Sequence, residues 1–243
     1  EPLFRPLTTW RPKLILGSLL TGLVAALLFY SWGYQIKNDI GVAGINRPVF
    51  WGFYITNFVF WIGISHAGTL ISAILRVTSA EWRRPVTRCA EAITVFALSI
   101  GGLFPLIHLG RPWLFWFMVP LPNDRGLWPN FRSPLVWDMM AITTYLTGSI
   151  LYLLLPMIPD LAILRDRHLA KNPDSIRARI YRFLSLGWRG TTQQWHSLES
   201  GIRVLAVVII PVAVSVHTIV SWDFAMTRQP MWHSTIFGPY FVV

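Results

Sequence analysis

His108, Asp138 and Asp223 each fall at the edge of a long apolar stretch or just inside one. Ionisable side chains beside hydrocarbon are costly to keep, so their presence there points to proton or ion chemistry. The first two belong to one segment, 108–138, with the sequence HLGRPWLFWFMVPLPNDRGLWPNFRSPLVWD. It leaves one apolar stretch through a histidine and enters the next with an aspartate behind Leu135, Val136 and Trp137. Imidazole titrates near neutrality, and a carboxylate in a partly dry setting has its charged form disfavoured, so the two can take up protons. Two such acceptors match the two phenolic protons an aromatic diol, a quinol, loses on oxidation. Trp113, Trp116, Trp128, Trp137 and Trp222 would suit its flat ring, and Arg111 is the expected orienting group, with Arg132 nearby.

Plainer uses exist for each residue. Tryptophans form interfacial belts in most membrane proteins. His108 can cap its helix, Arg111 can bind lipid phosphate, and Asp223 can be a solvated helix end.

A second set, His66, His217 and Glu91, lies away from that edge. These residues can be steps of a proton path, or polar groups satisfied by helix packing. A haem b held by two histidines is a third use, with His66 and His217 the only deep candidates and no sign that they reach one another.

Composition says what holds these groups. The 243 residues are 53% hydrophobic and 13% charged, with mean hydropathy +0.49, whereas soluble domains carry about 25% charged residues. An all-α, polytopic membrane bundle is expected. The formal charge of +10 fits cations gathered in loops on one side of a bilayer, not nucleic-acid binding. A single cysteine, Cys89, excludes an internal disulfide and a cysteine-ligated cluster, and is expected to pack. With no CxxCH, dinucleotide fold or P-loop, any redox centre must sit in a partner subunit.

Five spans are predicted, at about 14–32, 50–75, 89–107, 134–158 and 204–222. Lys and Arg number fifteen in the N-terminal tail, the 76–88 turn and the 160–203 segment, against six in the alternate connections. The N-terminus and the basic loops are therefore expected on the cytoplasmic side. His108, Asp138 and Asp223 then meet at the periplasmic edge. The basic segment 160–202, with its run IRARIYRFLSLGW, is expected to lie on an anionic leaflet. Residues 1–49 are read as a tail, a first helix and an outer loop, and 50–243 as a four-helix bundle. The missing Met at the start and the apolar IFGPYFVV at the end suggest further spans after Val243.

The motifs SHAGT (65–69), HLGRP (108–112), SPLVWD (133–138) and VHTIVSWDFA (216–225) resemble the NrfD/polysulfide-reductase membrane subunits. More closely, they resemble the large quinol-oxidising membrane subunit of bacterial alternative complex III. The resemblance implies two four-helix bundles, the second beyond Val243, in the bacterial inner membrane. It implies a menaquinol site near the outer face at His108, Asp138 and Asp223, and a proton path through His66 and His217. The chain would bind no cofactor of its own. Electrons would pass to a periplasmic iron–sulfur subunit and on to haem c in cytochrome c subunits, beside a homologous NrfD-like subunit and membrane lipid.

Overall fold

The computed structural model describes residues 12–45, 52–119 and 134–227. In chain order these form α1 (Pro12–Asn38), a 3-10 turn (Ile40–Ala43), α2 (Gly52–Val77), a second turn (Glu81–Arg83) and α3 (Arg84–His108). A third turn (Pro112–Met118), α4 (Pro134–Lys171), α5 (Ile176–Leu184) and α6 (Thr192–Thr227) follow. No strand occurs among the described residues. Five helices, α1 to α4 and α6, are long and apolar enough to cross a membrane. The fold is a polytopic helical bundle.

Helices α2, α3, α4 and α6 close into a ring in which each packs on the next and α6 returns to α2. Neighbours run antiparallel. Gly102 of α3 faces Ile142 of α4 while Arg88, earlier in α3, pairs with Asp160, later in α4. Between α4 and α6, Trp137 meets Trp222 and Gly148 meets Ile209. Lipid offers no hydrophobic drive for helices to associate, so close backbone approach must supply the attraction. Gly68 makes this possible between α2 and α3: a Cβ there would lie 2.4 Å from Thr94 Oγ1 and 2.6 Å from the Ala90 carbonyl oxygen. Phe58, Ile62, Leu98, Tyr145, Ile209 and Val216 fill the centre.

Helix α1 stands apart, with Gln35 its one buried residue. The Gln35 amide donates to the carbonyl oxygen of Ile107 at 3.1 Å, which ties the end of α1 to the end of α3.

Two expectations need correction. The segment 160–202 is the end of α4, the helix α5 and the start of α6 rather than a loop between two spans. Helix α4 runs 38 residues and α6 runs 36, or ~57 and ~54 Å at 1.5 Å per residue, against ~30 Å of hydrocarbon. Both therefore project beyond the membrane at the same end, and α5 folds back along the α4 projection. His168 stacks on Tyr181 with ring centroids 5.3 Å apart, and Arg165 Nη1 donates to Ser185 Oγ at 3.1 Å. Ser175 starts α5 by accepting from the Ala178 amide at 3.1 Å, an N-cap in the usual sense. Ile176, Ile180 and Phe183 remain exposed on the outer face of α5. Secondly, Cys89 does not pack in the core: it is exposed, on the outer surface of α3.

Candidate functional site

Asp138 lies in the first turns of α4 and Asp223 in the last turns of α6, where the antiparallel helices meet. Both are almost fully buried, at 3% and 2% exposure, and their carboxyl groups are near enough for each to act on the other electrostatically. Asp223 is thus not a solvated helix end. Two carboxylates this close in a dry contact repel strongly, and a proton shared between them removes the repulsion. Beside them Trp137 and Trp222 meet edge to face with centroids 6.1 Å apart. Each tryptophan immediately precedes its aspartate, so the register that joins the rings also joins the carboxyls.

His108 closes α3 at the same end of the bundle. With Gly102 opposite Ile142, the antiparallel register sets His108 level with Val136, two residues from Asp138. Its ring meets Tyr54 of α2 edge-on, centroids 6.1 Å apart, and the Tyr54 hydroxyl donates to Gln35 Oε1. The acid pair therefore sits between α4 and α6, and His108 packs toward α2. The HLGRP turn is possible because Gly110 adopts φ +65°, a left-handed conformation that glycine takes without a Cβ clash. Arg111 is exposed and makes no ion pair among the described residues. Trp113, Trp116 and Trp222 are about half exposed, as an interfacial belt would be. Trp128 and Arg132 lie outside the described residues.

The second set also assembles. His66 and His217, which nothing in the sequence brings together, touch edge to face with centroids 5.1 Å apart. His66 is buried; its Nδ1 lies 2.7 Å from the Ile62 carbonyl oxygen and its Nε2 2.7 Å from that of Ala213 on α6. With both nitrogens turned to carbonyl oxygens, His66 presents none to an iron, so the residues do not fit a haem b. No group of three His, Cys, Asp or Glu capable of holding a metal ion occurs among the described residues. Glu91 is buried near the start of α3, accepts from Ser72 Oγ at 2.8 Å and faces Arg76 at 3.9 Å.

A family model described as "Polysulphide reductase, NrfD" matches residues 41–243, every helix except α1. The chain belongs to this family. A protein of Halobacterium salinarum described as a "Putative dimethyl sulfoxide reductase membrane subunit" is 26% identical over 231 residues, 93% of this chain and 48% of that relative. A selenate reductase subunit of Mesobacillus selenatarsenatis is 28% identical over 192 residues, 75% of this chain and 42% of the relative. The chain spans about half the length of the curated relatives it matches.

Within this NrfD-family chain, sequence reasoning missed Gln35, Tyr54, Tyr145 and Tyr152. A signal for the last two was available: Asp138, Tyr145 and Tyr152 recur every seven residues, two helical turns, and so share a face of α4. Nothing local marks Gln35 or Tyr54, whose partners are distant in the chain.

Proposed function

We propose that the chain oxidises a quinol, menaquinol in a bacterial cytoplasmic membrane, at the Asp138–Asp223 pair. The observation that carries this is a buried carboxyl pair flanked by tryptophans at the rim of the bundle. Oxidation of one quinol to quinone releases two electrons and two protons. A carboxyl pair that holds one proton has room for a second, and His108 at the same end is the acceptor for the other. Arg111, exposed in the turn that follows His108, contacts the ring substituents or the lipid phosphates around the entrance. The electrons go to an iron–sulfur subunit docked on that edge, which the positive-inside count makes periplasmic, with the N-terminus cytoplasmic.

Both named relatives are subunits of reductases, and a reductase consumes electrons, which favours quinol oxidation over quinone reduction. The resemblance to alternative complex III adds cytochrome c subunits, a homologous NrfD-like subunit and proton translocation to the same first step. The test is a structure of the complete complex with a quinol-analogue inhibitor bound. The expected result is a ring oxygen within hydrogen-bonding distance of Asp138 or Asp223; a ring bound elsewhere in the bundle would refute the assignment.

A further inference from the structure

Four arginines, Arg76, Arg83, Arg84 and Arg88, crowd the corner where α2 turns into α3, at the end of the bundle opposite the acid pair. Three carboxylates account for three of them. Arg84 pairs with Glu81 at 2.6 Å, and Arg88 pairs with Asp160. Arg76 faces the buried Glu91 at 3.9 Å and lies over the Tyr152 ring at 5.8 Å. Arg83 makes no ion pair among the described residues. The corner therefore holds one cation in excess.

Where that cation stands makes it informative. Arg83, Thr87 and Glu91 follow one another at intervals of four and so share one face of α3. Further in, that face is buried, with Thr87 at 5% and Glu91 at 2% exposure, and Thr87 Oγ1 donates to the Arg83 carbonyl oxygen at 2.9 Å. Arg83 is thus at the mouth of the inward face, and both it and Arg76 are near enough to act on Glu91 electrostatically. The Nε atoms of Arg76 and Arg83 are buried and have no hydrogen-bond partner among the described residues. A buried donor without an acceptor is costly, and a guanidinium cannot lose its proton to escape that cost. An anion with several acceptor oxygens satisfies both the charge and the donors.

The surroundings say which anion. Helix α2 has 26 residues, ~39 Å at 1.5 Å per residue against ~30 Å of hydrocarbon, so Arg76 in its last turn lies at headgroup level. Around the corner Ile74, Val77, Trp82 and Val86 are exposed, an apolar rim that acyl chains cover, and tryptophan is a residue that settles at the membrane interface. A phosphodiester at this level offers its oxygens to the planar guanidinium fork while its chains run down along α2 and α3. A soluble phosphate gains nothing from the rim.

We propose that the α2–α3 corner binds the phosphate of one anionic phospholipid, with Arg83 as its main contact and Arg76 as the second donor. Net charge selects among lipids. Phosphatidylglycerol brings one negative charge and balances the spare cation, whereas phosphatidylcholine carries its own ammonium and is neutral. The site stands apart from the quinol reading and holds whichever side of the membrane this end faces.

The experiment places the complete complex in phosphatidylcholine nanodiscs that contain a trace of phosphatidylglycerol with a photoactivatable group beside its headgroup. After illumination, peptide mapping locates the label. In the wild type the label is expected in residues 77–83; unlabelled phosphatidylglycerol displaces it, and neither more phosphatidylcholine nor inorganic phosphate does. Arg83→Gln lowers the labelling about fivefold or more, the effect of removing one cation at an anionic lipid surface. The double variant Glu81→Gln, Arg84→Gln, which removes a balanced pair, leaves it unchanged. Should Arg83→Gln fail to assemble, the position of the wild-type label and its displacement decide the matter. The proposal is overturned by label spread evenly over the outer faces of the helices, or by displacement with phosphatidylcholine as readily as with phosphatidylglycerol. Equal labelling of Arg83→Gln and the wild type, or an equal loss in the double variant, overturns it too. Displacement by inorganic phosphate assigns the corner to a soluble anion and overturns the lipid.

Discussion

His66 shows how much a single side chain decides here. Its imidazole bridges α2 and α6 through the Ala213 carbonyl oxygen while touching Tyr145 and His217, so it has both a packing role and a place among the polar groups inside the bundle. Magnitudes separate the two. Hydrogen bonds between membrane helices average about 0.6 kcal/mol and reach at most about 1.7 kcal/mol. His66→Phe, which keeps a ring in the space, is therefore expected to lower stability by no more than about 2 kcal/mol in a denaturation titration of the complex. A much larger loss would make His66 chiefly structural. Residue chemistry was readable unevenly in the sequence. Asp138 declares itself by entering a span behind three apolar residues. Asp223 reads equally well as a solvated end, and only its burial, at 2% exposure, decides the matter. Gln35 and Tyr54 gave no sign, because a hydrogen bond between residues 19 apart, on separate helices, has no local pattern.

At the level of helices, close approach holds the site. Gly68 lets α3 lie against α2, and a Cβ there would collide with backbone at Ala90 as well as with Thr94. Backbone cannot swing aside as a side chain can. Gly68→Ala is expected to cost roughly 1–3 kcal/mol, the usual penalty of overpacking, measured as a fall in the unfolding midpoint of the complex. Gly22→Ala on α1, where an added Cβ would meet nothing within 4 Å, is the control and is expected to leave the midpoint unchanged. The five spans were legible from hydropathy alone, but their ends were not. Hydropathy falls where a helix leaves the lipid even though the helix continues, which is why the projecting parts of α4 and α6 read as a polar segment. The α5 turn-back needed the contact of Arg165 with Ser185, which no period in the sequence announces.

For the whole molecule, the ring of α2, α3, α4 and α6 brings helix ends far apart in the chain to one corner and encloses buried polar side chains, Ser65, His66, Thr69, Ser72, Glu91 and Thr94 among them. Counting cations gave only an expected orientation, and apolar length gave the class. The order of helices around the ring needed the contacts themselves. That order makes neighbours of α4 and α6, and so puts Asp138 against Asp223. The central claim is that this pair accepts protons from a quinol whose electrons leave for an iron–sulfur partner. Its most direct test is the rate at which added menaquinol reduces the partner's clusters in the assembled complex, compared between wild type and Asp138→Asn. The expected result is a loss of about 100-fold or more, the lower range for removing a general base, with the complex intact by size-exclusion chromatography. Cluster reduction at the wild-type rate in Asp138→Asn would contradict the account.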